Sequence, residues 1–164
     1  MSYNQGWEEA FKQEKWLLQE VLGEFIVAIH HVGSMAVSGL ETKSAVDIAV
    51  ESTVYPLDWV IVEVLKMFDY FRVAADSEFC EYCFTKDCEP GFCLYWHLAD
   101  SEAVRRQLRF RDLLLNSLEA RTMYDNAKDL LAESCRNNSK EYQLRKTALI
   151  ESMMRIEYEE KDYA

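Results

Sequence analysis

A chain of 164 residues that is 49% hydrophobic has material for one domain with a substantial core. A formal net charge of −11 argues against DNA or RNA as a partner, since both are held by neutralising phosphates. No run reaches the roughly 18 apolar residues of a membrane span, and the polar opening MSYNQGWEEAFKQEK lacks a signal peptide's pattern, so the expectation is a single cytoplasmic domain over 1–164 that engages neither membrane nor nucleic acid.

Trp7, Phe11, Leu18 and Leu22 recur at helical spacing and predict a helix over 7–22, ended by Gly23. The apolar run Phe25-Ile26-Val27-Ala28-Ile29 predicts a strand over 25–31, broken by Gly33-Ser34. Val46-Asp47-Ile48-Ala49-Val50 predicts a second strand over 45–51 with a carboxylate in its middle. Pro56 suits the start of a helix in which Leu57, Ile61, Val64, Leu65 and Phe68 share a face. Two more strands, 78–86 and 92–98, flank Asp87-Cys88-Glu89-Pro90-Gly91, whose Pro-Gly marks a turn.

Beyond them the hydrophobic period changes from strand to helix and stays there. Ser101, Ser117 and Ser139 are candidate N-caps. The stripes that follow are Val104-Leu108-Arg111-Leu115, Ala120-Tyr124-Ala127-Leu131 and Tyr142-Lys146-Leu149-Met153. The predicted class is α+β: a small mixed sheet with helices, then a helical C-terminal half.

Five cysteines make an odd number, expected to be reduced thiols. Cys80-x-x-Cys83 followed by Cys88 and Cys93 invites a zinc reading, but the spacings are not those of paired C-x-x-C sites. On one regular strand Cys80 and Cys83 have opposite parity and face opposite sides. The plain expectation is small apolar residues in a hairpin.

The chemistry concentrates between the first two strands. A carboxylate in a β-branched strand is costly to bury unless a cation or donors receive it. A Gly33-Ser34 turn beside Asp47 offers backbone N–H groups and a hydroxyl to an anion. Together they sketch a site for a phosphate and a metal, with Lys43 adding a point charge for the same anion. The alternative for Asp47 is a structural role, in which it accepts bonds from Ser34 or the Gly33 turn or pairs with an Arg. Arg111, Lys128 beside Tyr124, and Lys146 lie on or beside inward-facing stripes of three successive helices. One such cation usually snorkels, whereas three suggest heads converging on an anion or on Asp47. His97 alternates with Trp96 and shares a strand face with Tyr95. It belongs to the cleft if that face also carries Asp47. His30 and His31 point to opposite faces, so at most one takes part.

The segment His31-x-Gly33-Ser34-x-Ala36-Val37-x-Gly39-Leu40-x-x-Lys43-x-x-x-Asp47-Ile48 resembles the signature of the GrpB family, placed on the nucleotidyltransferase fold. His97-Leu98, Phe110-Arg111-Asp112, Tyr124 with Lys128, and Tyr142 with Lys146 extend the resemblance over nearly the whole chain. It departs at Met35, Ser38, Ser44 and Tyr95. The resemblance implies a Mg²⁺-dependent nucleotidyltransferase in which Asp47 holds the metal and Ser34 and Lys43 grip phosphates. His31 is then the participating histidine, His97 an acid or base, and Arg111, Lys128 and Lys146 neutralise charge. It also implies a second carboxylate two positions after Asp47, where this chain has Ala49. Glu51 shares that face but lies roughly 13 Å along the strand, too far to share an ion. Only a ligand from another strand could complete the set, with His97 and Glu81 as candidates. The gap at Ala49 keeps open a non-catalytic module that binds a nucleotide or other phosphorylated metabolite, or a purely accessory role.

Overall fold

Trp7, Phe11, Leu18 and Leu22 form one stripe of α1 (Gln5–Leu22) in the computed structural model, which describes residues 5–33, 45–74 and 80–162. A 3₁₀ turn, Gly23–Phe25, leads into β1 (Ile26–Val32), followed by β2 (Ala45–Ser52) and α2 (Trp59–Met67). Next come β3 (Tyr70–Val73), β4 (Tyr82–Lys86) and β5 (Gly91–Leu98), then α3 (Glu102–Asn116), α4 (Leu118–Ser134) and α5 (Ser139–Asp162). The α+β expectation holds.

Local chemistry moves several boundaries. Pro56 does not open α2; it follows a cis Tyr55–Pro56 bond in the preceding coil. Asp58 is the N-cap, its side chain accepting from Val60 N at 2.9 Å. Ser117 caps α4 as expected, accepting from Ala120 N at 3.0 Å. For α5 the cap is Asn138, whose Oδ1 accepts from Glu141 N at 3.1 Å, and Ser139 is already helical. The strand expected over 78–86 starts at Tyr82, and residues 75–79 lie outside the described residues. The four-residue edge strand β3 was not expected, being too short for a period to show.

The five strands are ordered β1-β2-β5-β4-β3. β2 and β5 run parallel and every other neighbouring pair is antiparallel. The crossover from β2 to β5 carries α2, β3 and β4. One sheet face holds the main core: Val46, Ile48 and Val50 of β2 and Leu94 and Trp96 of β5, packed with Leu18 and Leu22 of α1 and Ile61 and Leu65 of α2. Glu14, a carboxylate inside the α1 stripe, is tolerated there because Tyr70 Oη and Lys86 Nζ donate to it at 2.8 and 2.9 Å.

The chain forms two compact units, Met1–Leu108 and Arg109–Ala164, divided within α3. In the second, Leu114, Ala120, Tyr124, Cys135 and Met153 are buried, and Phe110 meets the Tyr124 ring edge-on at 5.2 Å.

Candidate functional site

Side chains alternate across a strand and directly paired residues face the same side, so the register assigns a second set of residues to the face opposite the core. In β2 this set is Asp47, Ala49 and Glu51; in β1 their partners are Val32, His30 and Ala28. In β5 the partners are Cys93, Tyr95 and His97, and Cys83 of β4 pairs with Tyr95. His97 and Asp47 therefore share a face, the condition set for placing His97 in the cleft.

Asp47 stands against the bend that the sequence put beside it. Gly33 has φ +73, in the left-handed region, and a Cβ there would overlap Asp47 Oδ2 and lie 3.1 Å from its Cγ. Glycine is required at this position on both counts. On the other side, Tyr95 Oη donates to Asp47 Oδ1 at 3.2 Å. Burial, and then the Asp47 charge, holds the Tyr95 phenol well above the usual tyrosine range, so it remains a neutral donor. Tyr95 is not among the site residues expected from the sequence. Its parity, shared with His97, was the signal that it could reach Asp47.

The position two residues on is closed. Ala49 is 0% exposed and packs with Val32 and with Val104 of α3, flanked by Tyr95 and Leu108. A small side chain lets α3 seat there; a carboxylate in its place would be buried among apolar groups.

Beyond this apolar patch lies a separate polar cluster. Glu51 takes His30 Nε2 on Oε1 at 2.6 Å and the Asp100 N–H on Oε2 at 2.8 Å. Burial raises the Glu51 carboxyl, but the Asp100 N–H and His30 outweigh it and hold it below its usual value. His97 Nε2 donates to Gln107 Oε1 at 2.9 Å. Burial pushes its imidazole down, against a smaller upward pull from Gln107 and Glu51, which favours the neutral ring. Glu51 is thus committed to His30 and to the turn at Asp100.

Other expected residues are placed as follows. His31 lies on the core face, stacked on Phe11 of α1 with ring centroids 4.7 Å apart, so it does not share the Asp47 face; His30 does. The pairing of Val32 with Asp47 sets this sidedness, and single-strand parity could not supply it. Glu81 is exposed just before β4 and accepts from Tyr55 Oη at 2.7 Å. Ser34 and Lys43 lie outside the described residues. In the second unit, Arg111 pairs with Asp112 at 2.9 Å, and Lys128 pairs with Asp125 at 3.4 Å while lying 5.9 Å from the Tyr124 ring centre. Lys146 is half-buried on α5.

For a resident Mg²⁺, the described residues at this end of the sheet offer one carboxylate, part of it already engaged by Tyr95. Among the described residues no group of three His, Cys, Asp or Glu side chains could hold a metal ion, for magnesium or for zinc. The described residues do not by themselves make a protein-built metal centre. Among the described residues no helix is long and apolar enough to cross a membrane.

Comparison with known proteins gives the family and the fold. The chain is 25% identical over 155 residues to the UPF0157 protein BH1888 of Halalkalibacterium halodurans, covering 94% of this chain and 80% of that one. It is 24% identical over 160 residues to the glutamate-rich protein GrpB of Alkalihalophilus pseudofirmus, covering 94% and 92%. The crystal structure of conserved protein GrpB from Enterococcus faecalis shares the fold, with a TM-score of 0.74 at 19% identity, over 96% of this chain and 98% of that one. The family model described as GrpB protein matches residues 1–155, and the chain belongs to the GrpB family.

Proposed function

We propose that this domain binds a phosphorylated small molecule, a nucleotide in the first instance, at the Gly33–Asp47 end of its sheet, and that it does so without catalysing nucleotidyl transfer. The observation that carries this reading is Ala49: the position where a second metal-binding carboxylate is expected is fully buried under Val104 of α3. A site with one strand carboxylate, itself held by Tyr95, has lost the means to fix two ligands of an ion on one strand. What remains is a left-handed glycine bend against an acid, followed in sequence by Ser34 and Lys43, groups suited to an anion. In this reading Asp47 positions the bend, and phosphate contacts come from backbone N–H groups, Ser34 and Lys43. The net charge of −11 disfavours nucleic acid and membrane surfaces as partners, and a small anion needs only a local cradle. A cytoplasmic location goes with this proposal.

The second reading, Mg²⁺-dependent nucleotidyl transfer, has one observation in its favour: Asp47 and the Gly33 bend are adjacent, as that chemistry requires. Mg²⁺ would then arrive with the substrate's own phosphates.

Thermal unfolding against a panel of nucleotides, with Mg²⁺ and with EDTA, on the native chain and on Asp47→Asn, separates them. A ligand at about a hundred times its Kd stabilises by roughly 2.7 kcal/mol. The binding reading expects that stabilisation with EDTA as well as with Mg²⁺. Stabilisation that needs Mg²⁺ and vanishes in Asp47→Asn favours the enzyme, and none with any nucleotide refutes both.

A further inference from the structure

Cys80 and Cys83 are brought together by a boundary that their spacing conceals. β4 begins at Tyr82, so Cys80 lies before the strand, ahead of a bend at Glu81, rather than on its pleat. The two sulfurs therefore meet instead of facing opposite sides: Cys83 Sγ donates to Cys80 Sγ at 3.1 Å. An approach of about 1 Å closes that gap to the 2.05 Å of a disulfide bond. Cys80 Sγ is also anchored to the Tyr82 carbonyl at 3.3 Å, which fixes it beside its neighbour. The Cys83 thiol pulls the Cys80 thiol below its usual range; burial opposes this, and backbone hydrogen bonding at Tyr82 and Trp96 supports it. Exposure is 3% for Cys80 and 5% for Cys83, so access to the pair is narrow and favours a small oxidant over a bulky one.

We propose that Cys80 and Cys83 are a peroxide-oxidisable dithiol that closes reversibly to a disulfide, with Cys80 as the attacking sulfur and Cys83 as the resolving one. In the first step the Cys80 thiolate attacks one oxygen of hydrogen peroxide. The O–O bond breaks, and the departing hydroxide takes a proton to become water, leaving a sulfenic acid on Cys80. Cys83 then attacks that sulfur. The S–O bond breaks, and the hydroxide leaves with the Cys83 proton as a second water. Two thiols have given two electrons to peroxide, and a dithiol reductant restores them. Cys83 is the direct cross-strand partner of Tyr95, so the pair lies one strand from the Asp47 site. The proposal does not depend on what that site binds.

The test treats the full chain with hydrogen peroxide, then maps thiols by alkylation and peptide mass spectrometry. Exposed Cys88 serves as the internal reference. The expected result is loss of both thiol hydrogens from the intact mass, a link mapped to Cys80–Cys83, and full reversal by dithiothreitol. Glutathione disulfide should oxidise the pair far more slowly than peroxide does. In Cys83→Ser the reaction should stop with one added oxygen on Cys80, trapped by dimedone, while Cys88→Ser should oxidise like the native chain. The proposal is overturned if Cys80 and Cys83 remain alkylatable after Cys88 has been oxidised. A link mapped to a different pair, or a sulfenic acid on Cys83 in Cys80→Ser with none on Cys80 in Cys83→Ser, overturns it too. If either variant fails to fold, the native peptide map decides alone.

Discussion

Replacing Gly33 by alanine probes the joint between the bend and the strand acid. Two costs are legible in the structure. The left-handed φ of +73 costs an alanine about 1–2 kcal/mol. The added methyl would also overlap Asp47 Oδ2, so the carboxylate must move and release the Tyr95 hydroxyl, a loss of about 1–3 kcal/mol. The expected destabilisation is therefore about 2–5 kcal/mol. Urea unfolding followed by tryptophan fluorescence is the assay, because Trp7, Trp16, Trp59 and Trp96 all lie in the unit Met1–Leu108 and report it without the helical unit. Asp47→Ala removes the obstructing oxygens and leaves a Cβ 3.2 Å from the new methyl, which a small backbone adjustment relieves. In that background Gly33→Ala should cost only the left-handed component. The coupling between the two substitutions is then about 1–3 kcal/mol. Equal costs in both backgrounds, within about 0.5 kcal/mol, would falsify the claim that bend and carboxylate are packed together.

Ala49→Asp restores the missing strand carboxylate in a fully buried apolar setting, so it should destabilise by at least about 3 kcal/mol, with no rescue by Mg²⁺; recovery of the native midpoint on adding Mg²⁺ would show that the position opens onto a metal site. Acid stability has two components with the same sign. His97 in the folded chain lies below its usual 6.5 and Glu51 below its usual 4.5, so in each case the unfolded chain binds more protons. Both contributions are complete above those values and are lost as pH falls, His97 first and Glu51 after it. His97→Gln should flatten the decline in urea stability that begins near pH 6.5, and Glu51→Gln the one that begins near 4.5; unchanged profiles would mean that neither group carries the linkage.

The fold was legible where a pattern ran long enough to declare its period. The α1 stripe, the two central strands and the three C-terminal helices all stand where the spacing put them. What escaped detection was decided by competition between local signals. At the start of α2 the Asp58 side chain supplies an acceptor to Val60 N, whereas Pro56 supplies only a fixed φ and sits in a cis bond three residues before the helix. Asn138 similarly displaces Ser139 as the cap of α5. β3 has four residues and pairs only along one edge, and a glutamate within the α1 stripe gave no sign of the tyrosine and lysine that satisfy it from β3 and β4.

The candidate site was legible only to the extent that parity within one strand suffices. Alternation alone put Tyr95 and His97 on one face of β5, and the motif spacing put Gly33 beside Asp47. Choosing between His30 and His31 needed the register of β1 on β2, because a shift by one residue exchanges the two faces. That register sends His31 to the core and gives His30 to Glu51, which removes Glu51 from any partnership with Asp47. It also sets Val32 opposite Asp47 and beside Ala49, where Val104 closes the patch. An aspartate at 49 would have to displace this packing, so the alanine is the residue the seated helix requires. The missing carboxylate and the docking of α3 are one structural fact, and a second strand carboxylate could be accommodated on this face only by moving the helix as well as changing the residue.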